Sequence, residues 1–453
     1  LKPTSYYLNS LISRPQLSNY VYPERNSQIE YQSFVNQANR IVEISKPDNL
    51  DNIIEIVNAQ YNKINVPSCF LDFSYKSLYD YIASIMYFIN PDSSPGVPYM
   101  KIAKDNAGVL GAYQHLIICL TVHRIYKILG TDLDVLSGLS NESLVINGFC
   151  DPVRLFIKPE PHKLEKINGR ERLIMSVSIV DKLVECVLCI KLNKDEIYNW
   201  RHIPSKPGIG FSPEDNQFLY NDVMSRPFKV AQTDCRAFDW SIPEWLNLLD
   251  FECRIDLTVG ATAEYIHLCR SVAIISSRTI YMLSDGTLLK SKINGRTNSG
   301  SSNTSSSNSR KRVIAAAIVQ ARNDFYCIAA GDDTVERYVE DAIKKYAKIG
   351  LCIKQFDEID ESFEFCSRLY KNNYSFLVNI DKGLTNLLLN DGNELLRFQY
   401  YLQFYNSYCT HPEFNEVHQL LVDVGYISER YRVACIAGMH NIYDICVCNG
   451  FSN

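Results

Sequence analysis

Apolar positions follow two periods along this chain, and the switches between them mark its elements. "SLYDYIASIMYFI" (77–89) repeats apolar residues every three or four positions, which predicts an amphipathic helix. "YQHLIICLTVHRIYKIL" (113–129) is apolar on nearly every side and predicts a buried helix. Between them "NPDSSPGVPYMK" (90–101) has the proline, glycine and serine of a turn-rich loop. Residues 153–178 predict strand, basic loop, strand, and 179–197 a helix. "KPGIGFS" (206–212) is a glycine-rich loop, and "FKVAQTD" (228–234) a short β-branched strand ending in an aspartate. A helix over 261–275 precedes a hairpin over 278–292 with an Asp-Gly turn. Residues 324–339 predict strand, turn, strand, and 339–350 a helix stopped by Gly350. From about 371 onward helix-like pieces dominate, and no internal repeat is present.

One stretch obeys neither period. "NSGSSNTSSSNSRKR" (298–312) holds seven serines in fifteen residues and ends in three cations. Composition alone reads as a flexible linker. Yet the stretch is short, and it runs without proline or acidic spacer into "RKRVIAAAIVQA", a helix former. The other reading is a loop entering a helix, whose small hydroxyl and amide side chains bond sugar hydroxyls and let a nucleic-acid backbone come close.

With 453 residues, 46% of them apolar, the chain is too long for one compact core, so two or three subdomains around a shared centre are expected. A net charge of −5 excludes binding to nucleic acid by bulk charge but permits a local basic channel. The fifteen cysteines are scattered, which reads as reduced thiols of a cytosolic protein. Cys186 and Cys189 sit in an apolar helix-like run, so core packing outweighs a metal site; Cys446 and Cys448 read the same way. No apolar run is long enough to predict a membrane span. The first residue, Leu1, suggests a piece of a polyprotein or a trimmed chain.

Three clusters carry chemistry. "TDCRAFDW" places Asp234 at a strand end, where it can hold a hard cation, and Asp239 one turn further on, nearer a substrate. "AAGDDT" predicts a hairpin turning at Gly331, with Asp332 and Asp333 at the tip beside Asp234. Aspartates at two strand ends suit a pair of magnesium ions, which take carboxylates together with substrate phosphates. The loop 153–172 carries Arg154, Lys158, Lys163, Lys166, Arg170 and Arg172 against three glutamates, enough to neutralise a triphosphate. A charge run is more often a solvated loop, but here an apolar strand follows directly.

Taken in order, these pieces resemble the motif series of viral RNA-dependent RNA polymerases. "SSPGVPY" (93–99) resembles motif G, "KPEPHKLEKINGRERLI" (158–174) motif F, and "DCRAFD" (234–239) motif A. In "SGSSNTSSSN" (299–308), Ser299, Gly300, Thr304 and Asn308 fall on the motif B pattern; "GDD" (331–333) resembles motif C. "YAKIGLCIK" (346–354) resembles motif D and "FEFCSRLY" (363–370) motif E. Within that superfamily the chain is most similar to the sobemovirus and polerovirus group of positive-strand viruses.

The resemblance implies an α+β closed right hand with a small antiparallel palm sheet backed by helices. It places fingers, fingertips and motifs G and F in 1–180, palm in 181–256, a fingers insertion in 257–290, palm again in 291–370 and thumb in 371–453. It implies that Asp234 and Asp332 bind two magnesium ions with Asp333 supporting, manganese being able to substitute. Asn308, Ser299 and Thr304 would work with Asp239 on the ribose hydroxyls, since the 2′-hydroxyl is donor and acceptor. Gly300 would let its loop flex as the template steps, and Ser305 to Ser307, beyond the motif, would be polar filler. Lys158 would contact phosphates and Arg172 lie over the incoming base. Ser94, Pro95, Gly96, Lys163, Lys166 and Gly300 would touch template. Lys354 would give a proton to pyrophosphate, though a solvated lysine after a helix looks the same in sequence. Expected partners are an RNA template and primer, ribonucleoside triphosphates, a genome-linked protein primer and other viral replication proteins, in host-cell cytoplasm at membrane-associated complexes. De novo initiation is equally compatible.

Three rivals make different demands. A reverse transcriptase would carry Tyr-x-Asp-Asp and an aromatic block to the 2′-hydroxyl, where this chain has Ala330-Gly331 and Asp239 with Asn308. A non-catalytic RNA-binding or capsid protein would be strongly basic. A metal-dependent phosphatase or nuclease would not need Ser-Gly…Thr…Asn.

Overall fold

The computed structural model describes residues 14, 17, 19–48, 50–167, 169–372, 374–389 and 393–436. The pair Cys446 and Cys448 lies outside the described residues. Helices α1 (Tyr75–Ile85), α2 (Asn106–Leu129) and α3 (Ile179–Tyr198) start where Ser74, Asp105 and Ser178 accept bonds from the backbone N–H of Ser77, Gly108 and Asp181. The run expected to be helical to 89 tightens to a 3-10 turn at Met86–Phe88. Helix α2 begins earlier than its apolar density suggested and kinks at Tyr113. Strands β1 (Val153–Ile157) and β2 (Leu173–Ser176) flank the basic loop as an antiparallel pair.

Strand β3 (Val230–Cys235) leads to α4 (Glu244–Asp256) and α5 (Ala263–Ser277). The hairpin β4 (Ile280–Met282) and β5 (Leu288–Lys290) follows, turning at Gly286 with φ +92°, and β4 adds in parallel to β1. The serine-rich stretch becomes a loop and the first turns of α6 (Thr304–Gln320), so it is no linker. Next come β6 (Cys327–Ala330), β7 (Asp333–Arg337), α7 (Ala342–Lys348) and β8 (Ile353–Glu358). Strands β9 (Phe363–Phe365), β10 (Arg368–Lys371) and β11 (Tyr374–Leu377) form a second antiparallel sheet. Strand β11 falls where helix was expected; helices resume only with α8 (Ile380–Leu389), α9 (Glu394–Tyr408), α10 (Phe414–Asp423) and α11 (Glu429–Ile436).

The central sheet is antiparallel throughout, in the order β6-β7-β3-β8. Leu246, Leu249, Ile314, Ala315 and Ala316 pack against Cys235, Ala329 and Ile353 on its rear face. A separate helical core joins Ile82, Ile118, Val122, Leu183, Cys186, Val187, Cys189 and Leu268, so both expected packing cysteines are in apolar contact. Every described cysteine is a free thiol. At the other end, Arg14 pairs with Asp381 (2.5 Å) and Glu413 (2.6 Å), and Tyr20 donates to Asn379 Oδ1 (2.9 Å). These contacts seat the start of the described chain on the C-terminal helices. Among the described residues no helix is long and apolar enough to cross a membrane.

The cations that open α6 are all buried, Arg310, Lys311 and Arg312 among them. Arg310 meets Asp250 Oδ1 at 2.8 Å and pairs with Glu196. Lys311 Nζ donates to Thr297 Oγ1 at 2.8 Å. Arg312 Nη2 donates to Thr334 Oγ1 (2.5 Å) and meets Glu336 Oε1 (3.3 Å). Glu336 also accepts from Thr233 Oγ1 (2.9 Å) and from the Tyr346 hydroxyl (2.6 Å). One carboxylate thus joins α6, α7, β3 and β7 behind the sheet. Glu336→Ala leaves the Arg312 guanidinium buried without its counter-ion, and a loss of about 3–5 kcal/mol in unfolding free energy is expected from denaturant titration. Lys344→Ala, at the exposed pair with Asp341, should leave it unchanged.

Candidate active site

Side chains alternate along β3, and burial alternates with them. Thr233 and Cys235 face the rear core, so Asp234 projects from the open face. Thr334 of β7 pairs with Thr233 in register, which sets Asp333 beside Asp234. Gly331, with φ +67°, makes the β6–β7 turn that carries Asp332. The carboxylates expected at two strand ends are therefore brought together. A further acid, Glu364, joins them and was not foreseen. Its neighbours Phe363 and Phe365 are buried, so the middle residue of this Phe-Glu-Phe strand faces the opposite way. That alternation was the available signal.

The electrostatics record the crowding. Burial, then the charges of Asp332, Asp234 and Glu364, push Asp333 up to about 7. Asp332 is raised by burial and by Asp234, and Glu364 by burial and by Asp234. Lys354 Nζ lies 2.8 Å from Asp234 Oδ2, and that hydrogen bond raises the lysine's pKa. Strand β8 explains the reach. Ile353 pairs with Cys235 and Gln355 with Asp234, leaving Lys354 as the extra residue of a β-bulge. Lys354 is exposed, but it is a strand residue aimed at the acids.

Among the described residues no three His, Cys, Asp or Glu side chains converge closely enough to hold a metal by themselves. The donor set nonetheless fits magnesium. Its oxygens are hard, mutual repulsion at Asp332 and Asp333 calls for positive charge, and magnesium completes its shell from substrate phosphates.

Asp239 is held from two sides. Asn308 Nδ2 donates to its Oδ1 at 2.6 Å, and the Thr297 N–H donates to its backbone carbonyl at 2.8 Å. Burial pushes the Asp239 carboxyl up to about 6, although the Asn308 bond opposes this. Asn308 Oδ1 is buried with no protein partner, an acceptor available to a hydroxyl. Ser299 and Thr304 shape the loop. Ser299 Oγ accepts from the Met175 N–H (3.1 Å), and Thr304 Oγ1 donates to the carbonyls of Asn298 (3.0 Å) and Ser301 (3.1 Å). Ser299 keeps its own proton to donate.

Gly300 is a close contact rather than a free hinge: a Cβ there would lie 2.1 Å from the Met175 carbonyl oxygen. The serines beyond the motif are not all filler. Ser307 Oγ donates to Asp250 Oδ2 at 2.5 Å inside the protein. Glu185 of α3 accepts from Ser301 Oγ (2.6 Å) and from the Ser302 N–H (3.2 Å), another residue sequence reading missed.

The expected template residues Ser94, Pro95 and Gly96 pack against the start of α3. Ser94 accepts the Gly96 N–H (3.3 Å), the Pro95 carbonyl accepts the Ile179 N–H (2.8 Å), and Gly96 presses on Val177 and Ser178. In the basic loop, the Lys158 N–H donates to the Arg172 carbonyl (2.8 Å), extending the β1–β2 ladder and setting the two cations side by side. Arg172 lies near enough to the acids for its charge to oppose the upward shifts of Asp239 and Asp332. Lys163 belongs instead to a strand, His162–Lys163, paired with Tyr20–Val21, and Lys166 is exposed on the following turn. Burial and the charges of Lys163, Arg172 and Lys354 lower the Lys166 pKa.

An antiparallel sheet with acids on its open face, a helix behind and a hydrogen-bonded Asp–Asn pair beside it is the arrangement of the palm of a right-hand polymerase. Solved structures share the fold. A picobirnavirus RNA-dependent RNA polymerase lacking its insertion loop aligns with a TM-score of 0.64 over 98% of this chain and 87% of its own, at 13% identity. The Sicinivirus 3Dpol aligns with a TM-score of 0.61 over 90% and 89%, at 12% identity. The family described as viral RNA-directed RNA-polymerase matches residues 8–375, and the chain belongs to it. It is 35% identical over 390 residues to the replicase polyprotein P2AB of Southern cowpea mosaic virus, covering 83% of this chain and 40% of the relative. It is 35% identical over 301 residues to an RNA-directed RNA polymerase of mushroom bacilliform virus, covering 63% of this chain and 71% of that one. The chain thus spans about two-fifths of the first of these relatives.

Gly300→Ala drives a methyl group into the Met175 backbone. The expected result is a loss of about 1–3 kcal/mol in stability by denaturant titration, as for other overpacked sites.

Proposed function

We propose that this chain copies an RNA template by adding ribonucleotides to a primer 3′ end. The observation that carries the reading is the Asn308–Asp239 pair, with its buried unpartnered oxygen, set beside the acids of β3 and the β6–β7 turn. The acids alone would serve a nuclease or phosphatase; the pair adds an acceptor for a ribose hydroxyl.

Asp234, Asp332 and Asp333 would hold two magnesium ions, which when bound acidify the attacking hydroxyl and screen the triphosphate. Asp239 and Asn308 receive the ribose hydroxyls, and Ser299 offers a further donor. Lys158 neutralises the phosphates from the fingers side; Arg172, expected over the incoming base, shares Glu160 with Lys158 and is assigned to the phosphates with it. The primer 3′-hydroxyl gives its proton to solvent as its oxygen bonds to the α-phosphorus, and the bond from that phosphorus to the oxygen bridging to the β-phosphate breaks. The leaving pyrophosphate takes a proton from Lys354, which its bond to Asp234 keeps protonated and close. Ser94, Pro95, Gly96 and Gly300 are assigned to the template. Likeness to replicase polyproteins supports a wider reading in which a genome-linked protein primer and other replication proteins work with the chain.

Primer extension on a homopolymeric RNA template with magnesium tests the reading. The chain should synthesise RNA, and Asp332→Ala should lose nearly all synthesis while RNA affinity, measured by fluorescence anisotropy, stays within about twofold. Near-normal synthesis by Asp332→Ala would overturn the metal assignment. Asn308→Ala should reduce preference for ribonucleotides over deoxynucleotides by about tenfold, the scale of one lost hydrogen bond to a charged or buried partner. Unchanged preference would remove the pair from ribose recognition.

A further inference from the structure

Glu160, in the basic loop, is surrounded by cations from two parts of the chain. Lys158 Nζ lies 2.9 Å from its Oε2, Arg172 Nη1 2.9 Å from its Oε1, and Lys382 Nζ 3.3 Å from its Oε1. Lys158 and Arg172 flank the loop; Lys382 comes from the first turn of α8, 222 residues away. Three cations share this one carboxylate, so the cluster carries surplus positive charge. Glu160 is largely covered, while Arg172 is more than half exposed and Lys158 and Lys382 are each over a third exposed. Burial alone would push the Glu160 carboxyl up, but the Lys158 bond and the charges of Lys382 and Arg172 outweigh it and hold it ionised.

Lys382 does not reach the cluster by chance swing of a surface side chain. Its N–H donates to Asn379 Oδ1 (3.0 Å), and Asn379 is bonded to Tyr20. The neighbouring Asp381 is paired with Arg14. The start of α8 is thus tied to the same N-terminal segment that pairs, through Tyr20–Val21, with the tip of the basic loop. Arg172 connects the cluster to the acids, because its charge is felt at Asp239 and Asp332. A polyphosphate chain has the charge and length to bridge such cations, and it competes with a single carboxylate by offering several oxygens.

We propose that Lys158, Arg172 and Lys382 form a polyphosphate-receiving station across the seam between the basic loop and the C-terminal helices, with Glu160 as the resident counter-ion that an arriving triphosphate displaces. Lys382 is then a nucleotide-binding residue supplied from outside the fingers and palm motifs. The inference rests on the polymerase reading for its source of triphosphate. The same chemistry could come from the phosphates of RNA, and the test separates the two.

Binding of inorganic tripolyphosphate, followed by calorimetry, needs no turnover and judges the station even if primer extension fails. Lys382→Ala should weaken it about fivefold, Lys382→Arg should restore it, and Glu160→Gln should tighten it, each on the scale of one partly exposed ion pair. In primer extension, Lys382→Ala should raise KM for nucleotides and the inhibition constant of pyrophosphate in parallel, by about the same fivefold, with a much smaller change in kcat. Unchanged tripolyphosphate binding by Lys382→Ala overturns the station. Weaker RNA affinity with unchanged nucleotide KM assigns Lys382 to the RNA backbone and overturns it also. Weaker binding by Glu160→Gln makes Glu160 a positioning group and removes it as a displaced counter-ion. If Lys158→Ala raises KM and Lys382→Ala does not, the polymerase reading stands and this inference falls.

Discussion

The acids of the open face stand where they do because of what is buried behind them. Arg312, Glu336, Thr233, Thr334 and Tyr346 form one hydrogen-bonded unit in which the guanidinium and the carboxylate are both fully covered. Such a pair gains little net stability over an apolar core, since both ions had to leave water. What it fixes is register. Thr233 and Thr334 can both serve the unit only if β3 and β7 are aligned as they are, and that alignment puts Asp234 and Asp333 next to each other on the other face.

Helix α6 carries this constraint outward. Consecutive helical residues point about 100° apart, so Arg310, Lys311 and Arg312 reach in three directions. One meets Asp250 and Glu196 of the flanking helices, one the loop at Thr297, one the sheet through Glu336. Asn308 lies just upstream of the three and reaches Asp239 from a helix that has no freedom to rotate. The Asp239–Asn308 pair and the acids are therefore parts of one rigid arrangement, held by cations that a solvent-facing reading of the sequence would have left in water.

Much of this was legible beforehand, and the failures share a cause. Aspartates at strand ends could be read because strand alternation and a glycine turn are local rules, and so could the helix that starts at Ile179. The loop-to-helix reading of 298–312 came from order along the chain and from likeness to a motif. What could not be read depends on contacts between distant segments. Nothing near Gly300 in sequence announces Met175, and nothing near Glu160 announces Lys382. A run of Arg-Lys-Arg normally marks a surface, and only the positions of Asp250, Glu196 and Glu336 in space reverse that. Ser307 was set aside for the same reason, its partner Asp250 being on another helix.

The bulge in β8 has a consequence of another kind. Lys354 reaches Asp234 because one residue too many is fitted between Ile353 and Gln355. Its position is fixed by counting, not by the chemistry of its neighbours. Substitutions at the exposed residues nearby leave that count intact. Deletion of a single residue would restore a regular ladder and withdraw the lysine's extra place on it. Along this strand side chains can be exchanged while the length cannot, so an insertion or deletion at that point would part Lys354 from Asp234 more surely than any exchange of neighbouring side chains.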